Sequence, residues 1–197
     1  GLAYLRGLHG DMSHSAVAGM VKHFPGGGPQ LEGLDPHFEF GREQVYPGGM
    51  FEHHLKPFRA AIEQGVTQLM PYYGMPVGTE YEEVGFAFNR AIITTLLREE
   101  LGYDGIVCAD WGILTDEELF GQFMPARAWG VEALSPMQRA ARALNAGVDQ
   151  FGGESDPSIL VEGVRPGLIT EDGIDQSALR VLREKFRLGL FDAHFVD

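Results

Sequence analysis

The stretch Asp104-Gly-Ile-Val-Cys-Ala-Asp-Trp111 (DGIVCADW, residues 104–111) decides how this chain is read. Asp104-Gly105 is a turn dipeptide. The run Ile106-Val107-Cys108-Ala109 has no polar side, which is the pattern of a strand covered on both faces. It ends on a carboxylate, Asp110, followed at once by an indole, Trp111. Two readings of that ending stand open locally. Asp110 is either a polar strand stop with Trp111 packed nearby, or a carboxylate delivered to a site at the strand's carboxyl end.

On either side, strand-length apolar runs alternate with longer helical patterns. The segment 16–24 (AVAGMVKHF) reads as a strand, followed by a Gly/Pro/Asp-rich loop to about residue 49. A helix is expected over 51–65, stopped by Gly65, with Pro57 placing its first half in question. A second strand covers 66–73 (VTQLMPYY), and an amphipathic helix 82–102. After the strand at 104–110 and a variable loop comes a helix over 135–147, with Ser135 as N-cap and Pro136 at its first position. A short strand at 148–152 and helical pieces near 156–164 and 171–188 close the chain. Strand–helix alternation predicts an α/β protein with a parallel sheet. A complete eight-unit barrel takes about 250 residues, so four strands in 197 residues fit about half of one.

The bulk numbers bound the function. Fifteen basic against 28 acidic residues give a net charge of −13, which argues against nucleic acid and lends no support to an anionic membrane surface. No apolar run reaches the length of a membrane span. The single cysteine, Cys108, excludes an internal disulfide and reads as a small buried hydrophobe. The chain opens on GLAYLRGLHG without an initiator Met, so it reads as a segment of something longer, with any export signal lying upstream.

Each strand ends on residues able to do chemistry: Lys22-His23, Tyr72-Tyr73, Asp110-Trp111 and Gly152-Gly153-Glu154. VKHFPGGG (21–28) fits neither phosphate-binding glycine pattern, but its turn can bring backbone close to a ligand, with Lys22 and His23 as donors to ligand hydroxyls. The alternative is a surface lysine and a satisfied histidine. His9, Asp11 and His14 have no standard metal spacing, and adjacent His53-His54 point different ways on a helix, so no metal is expected. A serine-hydrolase elbow is missing from the sequence. Tyr73 in MPYYG (70–74) can wall a site with a polar tip. Asp110 and Trp111 suit sugar chemistry: a carboxylate attacks or stabilises an anomeric centre, and an indole stacks on a pyranose. Asp149 is read as structural.

In this order, VKHFPGGG, MPYYG, LGYDGIVCADW, ALNAGVD and the closing IDQSALRVLREKFRLGLFD (174–192) resemble the family-3 glycoside hydrolases, broadly the β-glucosidases. The resemblance implies a (β/α)8 TIM-barrel-like domain of which residues 1–197 are the second half, an α/β sandwich domain being absent. It implies retaining hydrolysis of a β-glucoside or oligosaccharide with no cofactor, Asp110 falling on the nucleophile and Trp111 beside the bound sugar. Lys22 and His23 fall on the pair that holds sugar hydroxyls, and Tyr73 on a position near the nucleophile. From the charges, Lys22 would also keep Asp110 ionised. The family's early sugar-binding Asp and Arg, and the general acid/base Glu of most β-glucosidases in the family, are not in this sequence. The expected partners are therefore the other barrel half and the second domain, and the segment alone is expected to be inactive. Within the family the single-domain N-acetylhexosaminidases carry an Asp-x-His acid/base pair. Asp35-Pro36-His37 lies in roughly that region, a little further along. A non-catalytic carbohydrate-binding homologue is the remaining alternative.

Overall fold

Val21, Leu69 and Val107 stand side by side across three parallel strands, and this row sets the architecture. In the computed structural model, which describes residues 1–10, 17–119 and 121–192, the main sheet has four strands in the order β1-β3-β5-β8. They are β1 (Met20–Phe24), β3 (Gln68–Pro71), β5 (Ile106–Ala109) and β8 (Gln150–Phe151), all parallel. Each strand is followed by helix and joins the next one along. The two outer strands, β1 and β8, each leave one edge unpaired among the described residues. This is the connectivity of consecutive βα units in a barrel.

Helices cover the Val21–Leu69–Val107 face. They are α2 (Phe51–Glu63), α3 (Ala91–Glu100, wound in the wider π form) and α4 (Pro136–Ala146), after a first helix α1 (Leu2–His9). Leu55 and Phe58 of α2, Ile92, Ile93 and Leu97 of α3, and Ala140 and Ala143 of α4 join the strand row in one core. The small alanines of α4 let its neighbours, the Phe86–Phe88 turn and the helix over Ser158–Val164, approach it closely. Its start is built as the sequence implies: Ser135 and Gln138 cap one another reciprocally, and Pro136 fills the first position. Helix α2 runs unbroken through Pro57.

The opposite face of the sheet carries Gln68, Ile106 and Gln150, which line an open cavity of about 720 Å³ together with Ile174, Val181 and Leu182. Those last three belong to α6 (Glu171–Arg187), which follows the short α5 (Ser158–Val164). Asp149 ties this layer together. Its buried carboxylate receives Arg98 Nη2 at 2.7 Å, Arg180 Nη1 at 2.9 Å, Ser177 Oγ at 3.2 Å and the Val107 amide at 2.8 Å. A buried carboxylate needs such a full complement of donors.

Three expectations shift. Among the described residues, which resume at residue 17, the first strand begins at Met20; residue 16, its expected start, lies outside them. The helix expected from 82 starts only at Ala91: a separate buried 3-10 turn, Phe86–Phe88, precedes it, and Asn89 Oδ1 accepts the Ile92 amide at 3.2 Å. The loop after β5 contains an antiparallel hairpin, β6 (Glu117–Leu119) with β7 (Gln122–Met124). A two-residue pair, β2 (Glu43–Gln44) with β4 (Met75–Pro76), joins the glycine-rich loop to the end of β3.

Candidate active site

The carboxyl ends of β1, β3 and β5 bring His23, Tyr73 and Asp110 together. Asp110 directly follows β5 and is 8% exposed. His23 Nε2 lies 3.2 Å from Asp110 Oδ2, and the Trp111 amide donates to Asp110 Oδ1 at 2.8 Å. Burial pushes the Asp110 pKa upward. The hydrogen bonds from His23 and the Trp111 amide outweigh it, so the carboxyl titrates below its ordinary range. The group is therefore an anion at neutral pH, with one side still open.

Tyr73 is buried, and its hydroxyl donates to the Trp111 carbonyl at 2.6 Å. Burial, reinforced by the Asp110 charge, holds the phenol protonated far above its usual range. Tyr72 packs on the other side, its ring centroid 4.9 Å from that of His23. Cys108, two residues before Asp110, is pushed up to about 11, first by burial and then by the same charge. That thiol is no nucleophile at neutral pH.

Trp111 is 51% exposed, an indole held at the surface rather than spent in the core. It lies across the end of β8: a β-carbon on Gly152 would stand 2.5 Å from Trp111 Cε3, and one on Gly153 would overlap Cδ1. Those two glycines are what admits the ring. Glu154, next along, accepts the Leu114 and Thr115 amides at 3.2 Å each and pins the loop after Asp110.

The glycine run after β1 packs on protein. A β-carbon on Gly27 would lie 3.0 Å from Tyr72 Cε1, and one on Gly28 3.0 Å from His54 Cε1. Lys22 does not do what the charge argument expected. Its side chain is exposed, makes no ion pair among the described residues, and is not among the groups that lower the Asp110 pKa. His23 takes that place, its Nε2 lying 3.2 Å from Asp110 Oδ2.

Two features go beyond the strand-end pattern. Asp35 and His37 meet, His37 Nδ1 to Asp35 Oδ1 at 2.7 Å, and the His37 ring lies 4.8 Å from that of Tyr73. Trp129 holds that loop in place by donating from Nε1 to the Pro36 carbonyl at 2.8 Å. Arg127, 3% exposed, places its guanidinium carbon 5.9 Å from the Tyr73 ring centre. Sequence reasoning missed Arg127 and Trp129, and no local pattern in PARAWG marks either. His9 is buried and accepts the Gly19 amide at 3.2 Å, while Asp11 and His14 lie outside the described residues.

The order of these motifs along parallel strands is matched by known proteins. Residues 1–184 match the sequence profile of the glycosyl hydrolase family 3 N terminal domain. The chain belongs to glycosyl hydrolase family 3. It is 58% identical over 195 residues to a probable beta-glucosidase C of Aspergillus oryzae, covering 98% of this chain and 31% of that protein. It is 36% identical over 203 residues to a periplasmic beta-glucosidase/beta-xylosidase of Dickeya chrysanthemi, covering 94% of this chain and 31% of that one. Among solved structures, the family-3 beta-N-acetylglucosaminidase of Paenibacillus sp. str. FPU-7 superposes with a TM-score of 0.76 at 27% identity, over 100% of this chain and 35% of that chain. This family-3 chain is thus part of a barrel domain and spans about a third of the length of these relatives.

Proposed function

We propose that this chain supplies the second half of the barrel in a retaining β-glycosidase acting on terminal β-glucosides, with Asp110 as the nucleophile. The observation that carries this is the anionic Asp110, held by His23 and the Trp111 amide at the mouth of β5. A nucleophilic carboxylate must be ionised yet short of solvent, and must be aimed by fixed donors. Trp111 offers its exposed face to the sugar, and His23 and Lys22 offer donors to the sugar hydroxyls. Tyr73 fixes the Asp110-Trp111 turn. The names of the relatives, beta-glucosidase and beta-glucosidase/beta-xylosidase, support a neutral β-linked monosaccharide as the cleaved unit.

The reaction needs a second carboxyl or an equivalent acid on the leaving-group side. In this reading that group and the first barrel half belong to the rest of a longer polypeptide, in line with relatives about three times this length, and the 197 residues alone should be inactive. A second reading rests on the Asp35–His37 pair, which lies against Tyr73. There His37, oriented by Asp35, is the acid/base, and an N-acetylglucosaminide is the substrate, in line with the Paenibacillus relative's name.

The test uses the full-length polypeptide with Asp110→Gly. Hydrolysis should fall to background, and azide should restore turnover as an α-glycosyl azide, the product of direct displacement on a β-glycoside. Undiminished hydrolysis by Asp110→Gly would overturn the assignment. Loss of activity on aryl β-glucosides in His37→Phe, with a preference for aryl N-acetylglucosaminides in the parent, would favour the second reading.

A further inference from the structure

The hairpin after Asp110 has a charged neck. Arg127, just beyond β7, is buried, donates from Nη1 to Glu117 Oε2 at 2.8 Å, and donates from its backbone amide to the Gly112 carbonyl at 2.9 Å. Asp116 closes the other side by accepting the Ala126 amide at 2.8 Å. Gly112 has φ +64°, and a β-carbon there would overlap Arg127 Nη1 and stand 2.6 Å from Glu117 Oε2. The turn that follows the nucleophile candidate is thus open only wide enough for this ion pair.

Stability alone is a weak reason for such a pair. Taking a guanidinium and a carboxylate out of water costs more than an apolar filling of the same space in many proteins. Here the cation is also incompletely used, since Arg127 Nε is buried without a hydrogen-bond partner among the described residues. What the guanidinium does face is the Tyr73 ring, 5.9 Å from its centre, and both residues line one small cleft with Asp110. A cation over an aromatic face attracts the ring and fixes its plane. The ring in turn carries the hydroxyl that binds the Trp111 carbonyl.

We propose that Arg127, anchored by Glu117, is a positioning residue of the glycosidase site that acts through Tyr73: it holds the phenol so that its hydroxyl fixes the Asp110-Trp111 turn for attack. The proposal rests on Asp110 being the nucleophile. Arg127 bonds Glu117 and the Gly112 carbonyl rather than the Asp110 carboxylate, so its loss should slow formation of the glycosyl-enzyme rather than weaken sugar binding. The Coulombic influence of Arg127 on the Tyr73 hydroxyl, opposite to that of Asp110, runs in the same direction, making the hydroxyl a better donor.

The experiment is a double-mutant cycle in the full-length polypeptide. It reads the first-order rate of covalent labelling by an activated 2-deoxy-2-fluoro-β-glucoside, together with its apparent dissociation constant. Arg127→Met should slow labelling about tenfold with Tyr73 in place, at nearly unchanged dissociation constant, and by no more than about twofold in Tyr73→Phe. Glu117→Gln, the milder change, should show the same dependence on the Tyr73 hydroxyl at smaller amplitude, and it carries the cycle if Arg127→Met does not fold. Arg127→Lys should recover part of the rate. Equal slowing in both backgrounds, or an effect confined to the dissociation constant, would overturn the proposal. Failure of the unsubstituted enzyme to label at Asp110 would instead remove the nucleophile assignment, and the role of Arg127 with it.

Discussion

His23 Nε2 and Asp110 Oδ2, 87 positions apart in sequence, lie 3.2 Å apart at the mouths of two strands that flank β3. The pair joins an imidazole to a carboxylate that needs to stay ionised. The charge state of the site depends on that coupling.

Removing the imidazole should move the pH profile. Asp110 titrates below its ordinary range because hydrogen bonds from His23 and the Trp111 amide outweigh burial. In His23→Phe, burial keeps its upward pull and the largest opposing bond is gone, so the Asp110 pKa rises. The acid limb of kcat/KM in the full-length enzyme should therefore shift to higher pH, with kcat/KM lower by about ten- to a hundredfold at neutrality. The same depression makes the folded state more stable above the ordinary carboxylate pKa. That contribution should be lost as pH falls through the lower folded value, and in His23→Phe most of it should be missing.

Gly153→Ala should disturb Trp111 and leave the nucleophile alone. Gly153 has φ +76°, and a β-carbon there would overlap the indole. The substitution should cost about 1–3 kcal/mol in stability, combining backbone strain with overpacking. It should also raise KM for aryl β-glucosides more than it lowers kcat. Steady-state kinetics and tryptophan fluorescence read both effects.

Asp149 should prove structural. Its carboxylate is buried between Arg98 and Arg180 and accepts the Val107 amide. Asp149→Ala leaves two partly buried guanidinium groups without their shared anion, and about 3–5 kcal/mol of stability should be lost. Unfolding in urea measures it. A variant that retains full stability would show that the cluster contributes nothing net.

Much of this was legible along the chain, and for local reasons. The apolar run 106–109, the Ser135-Pro136 start of α4 and the glycine after it are short-range signals, and each appears where periodicity and capping chemistry put it. The start of α3 lies later than the apolar pattern implies because Phe86 to Phe88 form a short buried 3-10 turn of their own, separated from the helix by the extended backbone of Asn89. At the site, strand-end position brought out His23, Tyr73, Asp110 and Trp111. The roles of the remaining residues depend on distance in space. Arg127 reaches Tyr73 across 54 positions, and Trp129 holds Pro36 across 93, relations that no window of sequence contains. Lys22 and His23 looked equivalent as text, and only their placement in space separates them: His23 reaches Asp110 while Lys22 is exposed.

Expressed by itself, the 197-residue chain should not behave as a well-folded monomer. The outer strands β1 and β8 each carry an unpaired edge among the described residues, and a largely apolar cavity of about 720 Å³ opens on the inner face of the sheet. Phe186, Leu190 and Phe191 are exposed beyond it. Unpaired edges and exposed apolar surface recruit other chains. Size-exclusion chromatography should show aggregates, or thermal scans a broad, uncooperative transition. A soluble monomer with a sharp transition would contradict the half-barrel interpretation.

The most direct test is to incubate the full-length polypeptide with an activated 2-deoxy-2-fluoro-β-glucoside, record the intact mass, and map any adduct by peptide. One fluoroglucosyl group, carried on the Asp110 carboxylate, is the predicted result and would establish the nucleophile and the retaining course together. A folded protein that stays unlabelled with this and related fluoro-sugars, or that is labelled at a different carboxylate, would contradict it.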